Sequence, residues 1–359
     1  NNNVGIGKYA LRDGLTTGDD NVAIGESAGR NISTASETIF IGKEAGTSNS
    51  TGLRNIAIGA NAYDASDTEN DNIAIGYQAM TTNTAGGEKN VAIGNYSLPA
   101  LTSGDQNLGI GYQSGLALTE GARNILIGNN AGNSITTGDK SVHVGFYAGY
   151  AQSTGDFNAS LGAYSGQQIS TGNTSIGYKA GESHGGTYNT FLGYQTGMQT
   201  GDYSSNTGNY NLCLGWTAGD NITTGHNNVV IGAADVTADE NDQLSISSGD
   251  GSPVWITGDS NGNVTLNQLA DVVAVTGNTV LTQAQSGSYV YWTAGTLTLP
   301  ANTVAGTHFT IFNDTGSSAT VLFSAGEAVA SGWGHDAVAD TDATSYVCVA
   351  TDTWVQVGA

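Results

Sequence analysis

Asn72-Ile73-Ala74-Ile75-Gly76 is one of fourteen near-copies of a five-residue phrase lying between Asn3 and Gly232. Asn21-Val22-Ala23-Ile24-Gly25, Asn55-Ile56-Ala57-Ile58-Gly59 and Asn124-Ile125-Leu126-Ile127-Gly128 are further copies. The closing glycines are Gly7, 25, 42, 59, 76, 94, 111, 128, 145, 162, 177, 193, 215 and 232, and ten of their thirteen intervals are 17 or 18 residues. A fixed period of this length predicts a solenoid, one rung per copy, whatever the residue-by-residue propensities.

Within the phrase, position 4 is a large aliphatic in all fourteen copies, and position 2 is bulky and aliphatic in eleven, the exceptions being Ala159, Thr174 and Thr190. Alternate residues of a strand share a face, so positions 2 and 4 are expected to enter a common core. Position 3 varies (Gly5, Phe40, His143, Ser160, Cys213) and is expected on a less constrained face. Position 1 is Asn in twelve copies, with Thr38 and Ser141 as substitutes. Stacked asparagines can hydrogen-bond from rung to rung and satisfy the turn they sit on. Glycine at position 5 marks a positive φ or a close backbone approach. A small residue follows at position 8 in thirteen copies, and turn signals such as Thr137-Gly138-Asp139 complete the repeat. Two short strands and two turns per rung are therefore expected, with Ile24, Gly25, Ile58, Gly59, Ile75, Gly76, Ile127 and Gly128 as representative core positions. Two aliphatics and one alanine are too little to close a core around one chain. The expectation is three chains pooling theirs along an axis, in a rod of roughly 65 Å at about 4.8 Å per rung.

Composition agrees with an all-β protein. Gly accounts for 53 of 359 residues and Pro for 3, and Thr, Ser and Asn replace the residues of long helices. No apolar run is long enough to span a bilayer, and no signal-peptide pattern is seen, so membrane insertion is not expected. Net charge is −22, and no Lys or Arg follows Lys179, whereas sixteen Asp or Glu do. That half lacks the cations needed for phosphate contacts, which argues against nucleic acid and anionic membrane surfaces as partners. Cys213 and Cys348 lie in alternating patterns and read as small buried hydrophobes. The first residues already belong to a repeat, so an attachment segment is expected N-terminal to them.

The Asn-Val-Ala-Ile-Gly phrase, with a small residue three places after its glycine, resembles the head repeats of trimeric autotransporter adhesins. The likeness covers roughly residues 1–235, although the period of 17 is longer than that family's usual unit. It implies a left-handed parallel β-roll in an intertwined homotrimer. Similar repeats occur in bacteriophage tail fibres.

After Gly232 the phrase stops. Residues 236–270 read as a neck, with strands at 243–246, 254–257 and 264–266 and a hairpin signal at Asn261-Gly262. Asp259-Ser260-Asn261-Gly262-Asn263 has the look of a calcium loop, but its glycine is misplaced and Ala270 stands where the closing Glu belongs, so no metal site is assigned. Residues 271–359 read as a small antiparallel β-sandwich, with strands at 289–292, 296–299, 308–312, 320–323, 346–349 and 354–357. Their succession resembles small terminal domains of phage tail fibres. A heptad stalk and membrane barrel, which an autotransporter would add, are not found in the sequence.

No catalytic signature is present and no cofactor is implied; the five histidines are scattered, and His143 and His226 are expected at the surface. Asp336, Asp340 and Asp342 are the one dense acidic cluster of the tip, read as a solvated loop. Trp333, within Ser331-Gly332-Trp333-Gly334-His335-Asp336, is the aromatic least suited to a strand core. Trp333, His335 and Asp336 are the candidate glycan contacts, a ring for a sugar face and a carboxylate for its hydroxyls. The resulting expectation is a non-enzymatic, homotrimeric fibre of a phage virion, tail or capsid, acting outside the cell. It would join other virion proteins through its N-terminal side and present a receptor-binding tip to a host-surface glycan or protein. A bacterial surface adhesin is the alternative, and a glycan depolymerase, needing paired carboxylates in a groove, is a third class.

Overall fold

A computed structural model describes residues 2–13, 17–82, 86–198, 206–233 and 235–266, and beyond them ten strands within 273–357 together with Leu281. The described residues contain strands and turns and no helix. Two compact units divide between Asn267 and Gln268.

The first unit is a parallel β-solenoid. Each repeat supplies one three-residue strand, from β1 (Val4–Ile6) through β5 (Ile73–Ile75) to β14 (Val229–Ile231), and thirteen turns of chain connect the fourteen strands. Equivalent positions stack in register, as Ile56 on Ile73 and Ile58 on Ile75. Period and register are thus as the repeat predicts.

The facing of the strand is the reverse of the expectation. Positions 1 and 3 point into the coil: Asn72 and Ala74 are fully buried, as are Asn21 and Ala23, or Asn124 and Leu126. Positions 2 and 4 point outward, so Ile24, Ile58, Ile75 and Ile127 are only half-buried and Ile6 is 58% exposed. A single chain also closes an interior of its own, which the expectation denied it. That interior is built from position 3, the small residue at position 8 (Ala28, Ala62, Ala131) and position 12, where Ile32, Leu101, Leu118 and Ile135 stand.

The asparagine ladder forms as the sequence suggests, along the inside of the strand. The backbone N–H of Asn124 donates to Oδ1 of Asn107 at 3.0 Å, and that of Asn107 to Oδ1 of Asn90 at 2.8 Å. The Asn107 amide Nδ2 then donates to the Gly121 carbonyl at 2.8 Å, fastening strand to turn. Asn107→Ala would leave both the Asn124 N–H and the Gly121 carbonyl unpaired in a dry interior. At about 1–3 kcal/mol for each orphaned group, a loss of roughly 2–5 kcal/mol is expected from denaturant melts, with the slope of the transition unchanged.

The second half of each rung is not the strand that was expected. After the glycine the chain alternates between right- and left-handed backbone, with φ near 55° at positions 7 and 9, as at Asn61 (55°) and Tyr63 (54°) or Tyr96 (56°) and Leu98 (48°). A third left-handed residue precedes position 1, as Arg54 (57°) and Asp71 (61°) do. Local sequence does not favour this, since each such non-glycine residue costs of order 1 kcal/mol. Hydrogen bonds between rungs hold it: the Asn61 N–H donates back to the Lys43 carbonyl at 2.9 Å, and the Tyr63 N–H forward to the Ala79 carbonyl at 3.0 Å. One rung alone would not keep this conformation; the stack imposes it.

Side-chain volumes at positions 3 and 9 compensate. Phe40, Leu126 and Phe191 at position 3 face Gly46, Gly132 and Gly197 at position 9, whereas Ala57, Ala74 and Ala92 face Tyr63, Met80 and Leu98. A Cβ on Gly46 would lie 2.6 Å from the Phe40 ring. In these rungs the variability of position 3 is matched packing rather than freedom, whereas Ala23 with Gly29 and Gly109 with Gly115 pair small with small.

β15 (Leu244–Ser247), read from sequence as neck, stacks in parallel on β14 as a further rung, and the Gln243 N–H continues the ladder to Asn228 Oδ1 at 2.8 Å. β16 (Val254–Gly258) and β17 (Val264–Leu266) then reverse direction and continue the sheet past its last parallel strand. The β16–β17 hairpin turns at Asn261-Gly262, as the sequence indicates, with Gly262 at φ 79°.

The second unit is all-β, but its pairing is mixed rather than antiparallel. One sheet orders Val273–Val275, Tyr289–Trp292, His308–Asn313, Ala343–Ala350, Thr353–Val357 and Ala328–Val329; the other orders Thr279–Val280, Leu297–Leu299, Ala319–Phe323 and Ala337–Val338. Up to residue 323 the strands alternate between the two sheets and pair in parallel, and the antiparallel pairs come with the later strands. Val290, Leu297, Leu299, Phe309 and Ile311 are buried.

Candidate functional site

The most extended feature of the solenoid is its outward strand face. Positions 2 and 4 lay two columns of branched side chains along it, with Val4 (43% exposed), Leu161 (40%), Leu192 (41%) and Leu212 (39%) among the least covered. Isolated exposed aliphatics are ordinary, but a continuous stripe running the length of a rod is not. Beside it, positions 6 and 7 carry aromatic rings that touch from rung to rung. Tyr77, Tyr96 and Tyr112 follow one another at 5.4 and 6.1 Å, and Phe146, Tyr164, Tyr178 and Tyr194 at 5.4, 6.1 and 5.2 Å. Trp216 extends the row and is 55% exposed. Such a face can bury apolar area against a partner.

Of the residues singled out from sequence, Ile24, Ile58, Ile75 and Ile127 stand in these columns, while Gly25, Gly59, Gly76 and Gly128 form the backbone edge beside them. Each of these glycines has φ between 135° and 137°, and a Cβ on it would lie 2.3–2.5 Å from the carbonyl oxygen of the next rung's glycine. Both reasons given for glycine at position 5 therefore apply. Trp333, His335 and Asp336 lie outside the described residues, as do Asp340 and Asp342. His143, expected at the surface, is fully buried at position 3, because that position faces inward. Cys213 is a free, buried thiol, as its pattern suggests.

Chemically perturbed groups gather at the C-terminal end of the repeats. Asp235 replaces the small residue at position 8; burial first, then the hydrogen bond and charge of Asp220, push its carboxyl up to about 7. The buried Cys213 thiol nearby is pushed up by the same desolvation. Asp235 borders an open recess formed with Thr237, Gln243, Leu244 and Thr257. A raised acid keeps its proton in the folded chain while the unfolded chain has released it. Its stabilisation is therefore complete below the ordinary Asp range and is lost as pH rises through about 7. Melting temperature should fall between pH 5 and pH 8, and Asp235→Asn should flatten that slope.

Asp259, the head of the calcium-like segment, spends its carboxylate on the hairpin itself. It accepts from the Asn261 N–H at 3.0 Å, the Asn263 N–H at 3.0 Å and Asn263 Nδ2 at 2.9 Å, which together hold its pKa low. Among the described residues no three His, Cys, Asp or Glu side chains come together in a way that could hold a metal ion. No helix among them is long and apolar enough to cross a membrane.

The inward packing of position 3 against position 9 escaped the sequence reading. Its signal was present as the anticorrelated sizes at positions 3 and 9. Compared with known proteins, the chain matches no family model, no curated protein and no solved structure.

Proposed function

We propose that this chain is the shaft and tip of a non-enzymatic, homotrimeric attachment fibre, carried on a phage virion and presented to the host cell surface. The observation that carries the reading is the outward stripe of branched aliphatics, one at position 4 of all fourteen rungs and a second at position 2 of eleven. Fully burying one such side chain stabilises by about 1.5–3 kcal/mol, and the half that remains exposed is worth on the order of 1 kcal/mol each. Over two columns this exceeds what a solvated rod would keep uncovered, and identical stripes on identical chains match one another in length and register. Closed cyclic symmetry then removes the stripe from water without leaving an open end for further growth. The resemblance of the Asn-Val-Ala-Ile-Gly phrase to trimeric adhesin head repeats supports three as the copy number. The acidic surface and the absence of Lys and Arg after Lys179 suit an exterior, salt-screened setting.

The test is solution mass followed by binding. Light scattering should return three times the chain mass, and the purified trimer should bind host cells and block infection. A stable monomer would remove the architecture. Binding to animal tissue instead of a bacterial host would favour the adhesin alternative, and released oligosaccharides from host polysaccharide would favour a depolymerase.

A further inference from the structure

Rungs 9 to 11 set polar residues at the buried position 3. His143 faces Gly149, a large residue against glycine. The next two rungs pair small with small, Ser160 with Gly166 and Ser175 with Gly181, as Ala23 with Gly29 and Gly109 with Gly115 also do. The three position-3 residues are stacked in register on consecutive strands, with Leu126 as floor and Phe191 as ceiling. Gln152 at position 12 reaches the His143 ring. His184 at position 12 sits edge-on to Phe191 at 5.0 Å. Asn158 belongs to the ladder, but the following glycine interval, from Gly162 to Gly177, is 15 residues rather than 17, and its Nδ2 finds no turn carbonyl.

All of these side chains are at most 2% exposed. Beyond the contact between His143 and Gln152, five buried side-chain polar atoms here have no protein partner: the second ring nitrogen of His143, Asn158 Nδ2, Ser160 Oγ, Ser175 Oγ and His184 Nδ1. An unpaired polar atom in a dry interior is costly, and native proteins very rarely accumulate five in one place without a partner.

We infer that this stretch of the interior is a built hydration site, in which a short chain of ordered water molecules completes the polar network inside the solenoid. The identity of the ligand follows from its partners. Asn158 Nδ2 can only donate, and Gln152 Oε1 can only accept. His184 donates through Nε2 to the Gly208 carbonyl at 2.8 Å, so its Nδ1 presents a lone pair. Burial holds His143 neutral, with its pKa lowered to about 4, so its ring offers one N–H and one lone pair. The two serine hydroxyls serve either way. A cation would face the Asn158 amide and an anion would face two lone pairs and a carbonyl, but water satisfies both kinds. The site does not depend on whether chains associate.

The experiment is a high-resolution crystal structure of the full chain, paired with water-oxygen magnetic relaxation dispersion in solution. Expected are discrete density peaks within hydrogen-bond distance of Ser160 Oγ, Ser175 Oγ and Gln152 Oε1, and a dispersion step from long-lived internal water. The double variant Ser160→Ala/Gly166→Leu copies the Ala92/Leu98 pairing, and Gly166 already has the required φ of 56° against 48° at Leu98. It should lose at least one long-lived water and melt no lower than the parent. An anomalous or anionic peak, a dry interior at these residues in the parent, or a dispersion step unchanged in the variant would overturn the inference. Should the variant not fold, density in the parent still decides.

Discussion

Gly59→Ala is expected to unfold the middle of the solenoid at temperatures where the parent is intact. The added Cβ would lie 2.4 Å from the Gly76 carbonyl oxygen and 2.7 Å from its carbon, both backbone atoms that no rotamer can move aside. The φ of 136° is a further penalty of about 1–3 kcal/mol for a residue with a side chain. Relief requires rungs 4 and 5 to separate, which stretches the strand pairs Ile56–Ile73 and Ile58–Ile75 and the ladder bond from Asn72 N–H to Asn55 Oδ1. A loss of more than about 4 kcal/mol is expected. Gly249→Ala is the control, since a Cβ there meets nothing within 4 Å and its φ is not in the left-handed range; it should fall within about 0.5 kcal/mol of the parent. Circular dichroism melts of the two variants side by side check the claim, and equal melting points would refute it.

Ile75→Asp is expected to separate assembly from folding. In one chain the side chain is only half-buried and points away from the coil, so an aspartate there remains solvated and costs folding about 1 kcal/mol or less. In the proposed trimer the same position would place three carboxylates at one level of an apolar axis. Desolvating each costs several kcal/mol, and their mutual repulsion adds to it. The expected product is a monomer with the parent's β-sheet spectrum, read by light scattering and circular dichroism. Normal trimer yield would contradict an axial role for the outward stripe. Loss of all structure would show that Ile75 belongs to the chain's own core.

Period, register, ladder and glycine spine were legible because each depends on one residue recurring at one place. Asn at position 1 and Gly at position 5 have few substitutes for what they do, so they announce themselves. The direction of the strand did not. Alternation says that Ile73 and Ile75 share a face and that Asn72 and Ala74 share the other, but not which of the two faces inward. Assigning the interior to the bulkier pair was natural, yet the fully buried set is the one whose sizes compensate in several rungs, Phe40 with Gly46 and Ala57 with Tyr63. The left-handed turns were invisible for another reason. Glu44, Gln78 and Lys179 carry no mark of positive φ, which neighbouring rungs impose through the backbone. In the second unit the strands at 289–292, 308–313 and 353–357 were legible from alternation, but alternation carries no information on parallel against antiparallel partners. Trp333, His335 and Asp336 stay as chemistry inferred from sequence.

Because every strand of the solenoid lies across its axis and the rung-to-rung hydrogen bonds run along it, tension applied along that axis would load those bonds one layer after another. The weakest terminal layer would peel first, and the next would bear the strain only after it had gone. One rung of 17 residues drawn out at about 3.3–3.6 Å each releases roughly 55–60 Å of slack. A shaft built this way yields in increments of similar size and dissipates a sudden pull, where a coiled rod with lengthwise strands would resist until it failed all at once.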